Sequence, residues 1–156
     1  MLNPIKSIVK FNHDAGLTDK PYDDFLESSF QVEEALEGFD LVLLASQLHP
    51  IEETENCADA KSLSRHITEM AGARKLKLSD VDRLDKACDA VVYAIGSMAK
   101  LGLDAQQITK ALNTVMVANN AKLNCPKDKF GKLMKPDNFE ELYAPEPKLQ
   151  SILDER

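Results

Sequence analysis

Apolar residues recur along this chain at intervals of three and four, the spacing that lines one side of a helix. No segment keeps up the strict alternation of a strand. The first such stretch, NPIKSIVKFNHDAG, has Asn3 placed as an N-cap, Pro4 at the first helical position and Gly16 as a stop. A second helix is expected from about Tyr22 to Gln47, ended before Pro50, with Phe25, Val32, Leu36, Phe39 and Leu43 on one stripe. A third, shorter and less apolar, runs from about Cys57 to Met70. In LSDVDRLDKACDAVVYAIGSMAKLGL a fourth starts at Ser79, a good N-cap, and continues to Gly102. Its apolar face is Leu84, Ala87, Val91, Ala94, Ile95 and Met98. Asp104 caps the last long helix, in DAQQITKALNTVMVANNAKL. Beyond Leu123 prolines at 126, 136, 145 and 147 predict an irregular C-terminal arm over 124–156, with a short helix near Lys148–Asp154. The expected fold is all-α: an antiparallel helical bundle of four to five helices in a single domain over 1–156, its core in about 1–123.

A chain of 156 residues is long enough to bury a proper core. Its net charge of −7 argues against general nucleic-acid binding, which needs a basic footprint. A small phosphorylated substrate stays compatible with that charge, because a bound cation inverts the local field. The three cysteines, Cys57, Cys88 and Cys125, form no CxxC pair and read as reduced thiols of a cytoplasmic protein. The opening MLNPIKSIVKFNHD lacks the continuous apolar region of a secretory leader. Apolar runs such as LVLLA at 41–45 are far too short to span a bilayer, so no membrane partner is expected.

Chemistry enters with the acids. Glu33, Glu34 and Glu37 share a turn and a half of the second helix, on a side that also carries Phe30, Leu41 and Leu44. Carboxylates set into an apolar side must be protonated, paired with cations or bound to metal. The fourth helix carries Asp82, Asp85 and Asp89 at i, i+3 and i+7, with Tyr93 and Gly96 continuing the stripe. Two such stripes facing each other can hold Mg²⁺ in carboxylate oxygens, the ligands that hard divalent cations prefer, and the ions can then take up a triphosphate. Spacing alone fits an ordinary solvated helix side equally well, since i,i+3 acid pairs are frequent in acidic proteins. A ferritin-like di-iron site would need Glu-x-x-His on paired helices. Glu34 is followed three residues on by Glu37, and none of His13, His49 and His66 stands three residues after a glutamate.

Taken in order, these residues resemble the all-α NTP pyrophosphohydrolases, the group that includes MazG-like, phosphoribosyl-ATP pyrophosphohydrolase-like and dimeric dUTPase-like proteins. The family mark is E-E-x-x-E on one helix and E-x-x-D on a later one. EEALE matches the first at Glu33, Glu34 and Glu37; DRLD matches the second at Asp85, with Asp82 where the family has Glu. Asp89 matches a further acidic position of the phosphoribosyl-ATP-like branch. IVKFNHDAGL resembles the family's opening helix, and VVYAIGSMAKLGLD its small-residue helix and turn. VMVANNAKL resembles V-x-x-x-N-x-x-K-L at Val115, Asn119, Lys122 and Leu123. FGKLMKP resembles G-K-x-x-K-P at Gly131, Lys132, Lys135 and Pro136. Two features depart from the pattern. The connection from Leu48 to about Ser79 is longer than usual, and Asp82 retracts its carboxylate by one methylene, about 1.5 Å of reach.

The resemblance implies hydrolysis of an NTP or dNTP between the α- and β-phosphates, giving monophosphate and pyrophosphate, with Mg²⁺ (or Mn²⁺) as cofactor. It implies Glu33 as the residue that orients or deprotonates water, with Glu34, Glu37, Asp82 and Asp85 as metal ligands. It places Asp89, Asn119, Lys122, Lys132 and Lys135 with the substrate, and Phe11 and His13 beside the base. It also implies a homodimer or a pair of dimers. The residues point the same way: Leu41, Leu43 and Leu44 radiate from one short run and cannot all face a single small core, which predicts that the second helix lies in or near an interface. The alternative, from a different class, is a non-catalytic oligomerisation or regulatory module of the same fold.

Overall fold

The computed structural model describes residues 3–48, 59–75, 77–128 and 132–156. Among the described residues every regular element is helical, and strand pairing is confined to an isolated antiparallel bridge between Lys127 and Leu133. The all-α expectation holds. The chain divides into two compact units, one of Met1–Lys20 with Asp85–Arg156 and one of Pro21–Leu84.

In the first unit, α1 (Pro4–Asp14) starts as the sequence predicts: the Asn3 side chain accepts from the backbone N–H of Ile5 and Lys6, and Pro4 needs no such acceptor. Gly16 ends it at φ +60, a conformation that glycine adopts without strain. α6 (Ala105–Asn120) opens on a reciprocal capping box between Asp104 and Gln107. α1 packs on α6. The C-terminal arm is more regular than its prolines suggest. It holds a one-turn helix, α7 (Phe139–Leu142), and a longer one, α8 (Glu146–Asp154), that packs on α6. Leu103, Ile108, Ala111 and Ile152 form the buried cluster of this unit, with Met98, Leu112, Leu149 and Leu153 against it. The docking is reinforced at the chain end, where Arg156 donates to the Leu101 carbonyl at 2.6 Å and Lys110 pairs with Glu155 at 2.6 Å.

In the second unit, one expected helix is two. α2 (Asp24–Leu36) stops, and α3 (Leu41–Leu48) starts after a turn. Two local choices explain the break. Gly38 disfavours helix by about 1 kcal/mol relative to alanine, and Asp40 caps a new helix, its carboxylate accepting from Leu43 N–H at 2.9 Å. The break divides the predicted stripe: Phe25 and Leu36 are buried, whereas Phe39 and Leu43 are 66% and 57% exposed.

α4 (Ala60–Met70), capped by Asp59, packs on α2. Its expected start near Cys57 lies outside the described residues. The contact uses small polar residues: Ser29 and Thr68, both buried, share a hydroxyl hydrogen bond at 2.8 Å, and Ser64 is fully buried beside them. One of the two hydroxyls donates this bond and the other donates to its own helix, Ser29 to Phe25 O or Thr68 to Ser64 O, so burial leaves them satisfied. Leu63 fills the apolar part of the contact, and a 3₁₀ turn (Ala73–Lys75) brings the Arg74 guanidinium to 3.8 Å from the Phe25 ring centroid.

Candidate functional site

The glutamate cluster belongs to α2 and the turn after it. Glu33, in the last turn of α2, is 5% exposed; Glu34 is exposed, and Glu37 is the exposed C-cap residue of the helix. The helix phase explains the difference, since Glu33 falls on the same side as Ser29 and Leu36, the side packed on α4. A second buried carboxylate lies at the other end of α2. Asp24 accepts two hydrogen bonds from Arg83, at 2.8 Å from Nη2 and 3.3 Å from Nε, and Arg83 also reaches Asp80 at 2.9 Å. The bond to Asp24 raises the Arg83 pKa further above its already high ordinary value, against the opposing effect of burial. Arg83 lies 4.9 Å from the Tyr22 ring centroid. Burial, then the charges of Glu27 and Asp24, raise the Tyr22 phenol above its ordinary value, and Arg83 partly offsets them. This clamp was not legible in the sequence, where Arg83 is simply the residue inside DRLD.

α5 (Asp80–Lys100) carries the aspartates. Asp82 has a local role. Its Oδ2 accepts from the Ser79 hydroxyl at 2.6 Å and from the Ser79 N–H at 3.1 Å, while Ser79 Oγ accepts from Asp82 N–H at 3.2 Å. This is a capping box with aspartate in place of the usual glutamate. The hydroxyl and then the backbone bond hold the Asp82 carboxyl below its ordinary value. A carboxylate offers about four acceptor sites, so the box does not use up the capacity of Asp82. Asp85 and Asp89 follow on the same helix and are exposed.

The basic and aromatic candidates lie in the first unit. Lys122, just after α6, donates to Asn119 Oδ1 at 2.9 Å. Its ammonium lies 5.1 Å from the centroid of the buried Phe139 ring, and that of Lys135 lies 5.0 Å from the same ring. Lys135 also pairs with Glu140 at 2.5 Å. Lys122 and Lys135 thus both reach one aromatic side chain that sequence reasoning missed, and Asn119 is tied to the pair through Lys122. The available signal was the lone phenylalanine after the turn-forming PDN, where Asn138 adopts φ 58. Lys132 belongs to a loop closed by reciprocal bonds, Asp128 N to Lys132 O at 2.9 Å and Lys132 N to Asp128 Oδ1 at 3.0 Å. Gly131, expected in the arm motif, lies outside the described residues. On α1, Phe11 is half-buried, and the exposed His13 holds Thr18 Oγ1 through Nδ1 at 3.0 Å.

The carboxylate set has the hard oxygen donors that suit Mg²⁺. Among the described residues no three of the His, Cys, Asp and Glu side chains are gathered closely enough to hold a metal ion. Among them, too, no helix is long and apolar enough to cross a membrane. Comparison with family models, with curated proteins and with solved structures returns no match.

Proposed function

We propose that the chain is a metal-dependent nucleoside triphosphate pyrophosphohydrolase of the all-α type, built as an antiparallel helical bundle acting as one domain in the cytoplasm. The observation that carries the reading is Glu33, a buried carboxylate followed by two exposed acids, Glu34 and Glu37, at the end of an amphipathic helix. The pattern around it is the one the resemblance assigns to catalysis. The convergence of Lys122 and Lys135 on Phe139, with Asn119 bonded to Lys122, adds a cationic, aromatic-backed surface suited to phosphate.

In this reading Glu34, Glu37, Asp82 and Asp85 hold Mg²⁺ or Mn²⁺. When bound, the ion neutralises phosphate charge and polarises the scissile anhydride. Glu33 orients a water toward the α-phosphorus and takes its proton as the P–O bond to the leaving pyrophosphate breaks. Lys122, Lys132 and Lys135 meet the phosphates, Asn119 and Asp89 fix the sugar–phosphate end, and Phe11 and His13 contact the base. The protein works as a homodimer or a pair of dimers.

The test is a panel of NTPs and dNTPs with Mg²⁺, in which pyrophosphate is measured separately from orthophosphate. Pyrophosphate with monophosphate is expected, lost on chelation. Glu34→Gln and Glu37→Gln should nearly abolish turnover and weaken metal binding, while Glu33→Gln lowers turnover and leaves metal binding in place. Orthophosphate with diphosphate as the main products would exclude the reading. One observation favours the alternative, a non-catalytic helical module: Asp82, the position where the family carries Glu, is engaged in capping its own helix. Wild-type-like behaviour of all three glutamine variants would return the cluster to an ordinary solvated helix side, and absence of turnover with every nucleotide in the panel would support the non-catalytic module.

A further inference from the structure

Phe139 is 6% exposed, and two ammonium groups lie over its ring, Lys122 Nζ at 5.1 Å and Lys135 Nζ at 5.0 Å from the centroid. All three residues belong to the first unit. The face of an aromatic ring is its negative side, so it attracts each cation. The cations repel each other, because sharing one centroid keeps them no farther apart than about 10 Å, roughly one Debye length at about 0.1 M salt. Two lysines held to one ring therefore make a positive spot on a chain of net charge −7, and that spot gains from any anion that bridges it. Glu140, the residue after Phe139, fills part of that role. Its Oε1 accepts from Lys135 Nζ at 2.5 Å, whereas Lys122 donates to a neutral acceptor, Asn119 Oδ1, at 2.9 Å. The Lys135 and Glu140 side chains are 58% and 68% exposed. An exposed ion pair of this kind contributes little and gives way to a partner of higher charge. Phosphate is such a partner, with several charged oxygens that accept strong bonds from lysine.

We infer that Phe139 is the positioning residue of a diphosphate subsite, and that Glu140 is an internal carboxylate which occupies Lys135 until a phosphate oxygen displaces it. The inference rests on the pyrophosphohydrolase reading for the class of ligand, the β- and γ-phosphates of a nucleoside triphosphate. It adds two residues, Phe139 and Glu140, to which the resemblance gives no role. The ring restricts where both ammonium groups can go, so less side-chain freedom is lost when the anion binds. A single phosphate can satisfy one lysine; two linked phosphates can accept from both at once. The carboxylate acts against binding, because the ligand must first take Lys135 from it. Phe139 and Glu140 are neighbours in the chain, yet their effects on anion affinity have opposite signs.

The test is calorimetric titration of the full chain with inorganic pyrophosphate, in chelator, so that only the protein's own cations take part. Glu140→Gln should tighten binding about two- to fivefold, the worth of an exposed ion pair. Phe139→Leu should weaken it about three- to tenfold through loss of both ring contacts, with the helical circular dichroism kept, while Phe139→Tyr, which retains the ring, should stay near wild type. In a Lys135→Gln background Glu140→Gln should lose most of its effect, because the lysine it occupied is gone. An equal gain in both backgrounds would make Glu140 a general charge effect and overturn the inference. So would a wild type that binds no pyrophosphate, or a Phe139→Tyr that binds as weakly as Phe139→Leu. Glu140 is exposed, so its variants keep the test decisive even where Phe139→Leu fails to fold. Binding with these responses but no turnover of any nucleotide would uphold the subsite and overturn the reaction. Turnover without these responses would uphold the reaction and overturn the subsite.

Discussion

At the scale of single residues, Asp82 shows how one side chain acquires a local role by its distance from a neighbour. Three positions after Ser79, an aspartate reaches back to the serine N–H and hydroxyl and closes the start of α5. Ser79→Ala removes both the cap for Asp82 N–H and the hydroxyl that holds the carboxylate, and should cost about 1 kcal/mol near neutral pH. The pH dependence has a definite sign. The folded-state pKa of Asp82 is depressed by Ser79 below its ordinary 3.8. The stabilisation from the ionised box is therefore present above that ordinary value and lost as pH falls through the lower folded-state value. Urea titrations of wild type and Ser79→Ala should show a stability difference that is constant down to about pH 5 and shrinks toward about pH 3. A difference that grew with acidity would contradict the box.

At the scale of elements, the turn between α2 and α3 is the main departure from helical periodicity. Gly38 is in open space: a Cβ added there meets nothing within 4 Å, and the residue does not need positive φ. Gly38→Ala should therefore stabilise the protein by about 0.4–1 kcal/mol, chiefly by narrowing the unfolded ensemble. The opposite holds at Gly16, where φ is +60 and an added Cβ would lie 2.7 Å from Asp19 Oδ2. Gly16→Ala should lower stability by more than Gly38→Ala raises it. Denaturant midpoints of the two variants check both signs together. If Gly38→Ala were destabilising, the turn would depend on a conformation that alanine cannot adopt.

At the scale of the molecule, a chain of net charge −7 responds to any cation, so a metal site must be told apart from charge screening. Mg²⁺ should raise the melting temperature above the value in sodium chloride of equal ionic strength, saturably. Binding to the folded state alone is worth about 2.7 kcal/mol when the ion is at about 100 times its dissociation constant. The rise should vanish in the Glu34→Gln, Glu37→Gln double variant and persist in Glu33→Gln. Equal melting curves in magnesium and in matched sodium chloride would leave the acids as a solvated surface.

The sequence by itself determined what depends on neighbours along the chain. Helix starts at Asn3, Ser79 and Asp104, the stop at Gly16 and the short helix before Asp154 follow from side chains within a few residues of the backbone groups they satisfy. The break at Gly38–Asp40 was within the same range, but the continuous apolar spacing from Phe25 to Leu43 hid it. Periodicity reads a face and does not count the residues that a turn inserts. For the candidate site, the sequence supplied the residue types and their order. Only the tertiary structure decided that Glu33 is buried while Glu34 and Glu37 are not, because that depends on where α4 lies against α2. It also decided that Arg83 clamps Asp24, 59 residues away, and that Phe139 gathers Lys122 and Lys135. Apart from Lys135 with Phe139, these contacts join side chains far apart in sequence, and their formation depends on burial and packing that no local spacing encodes.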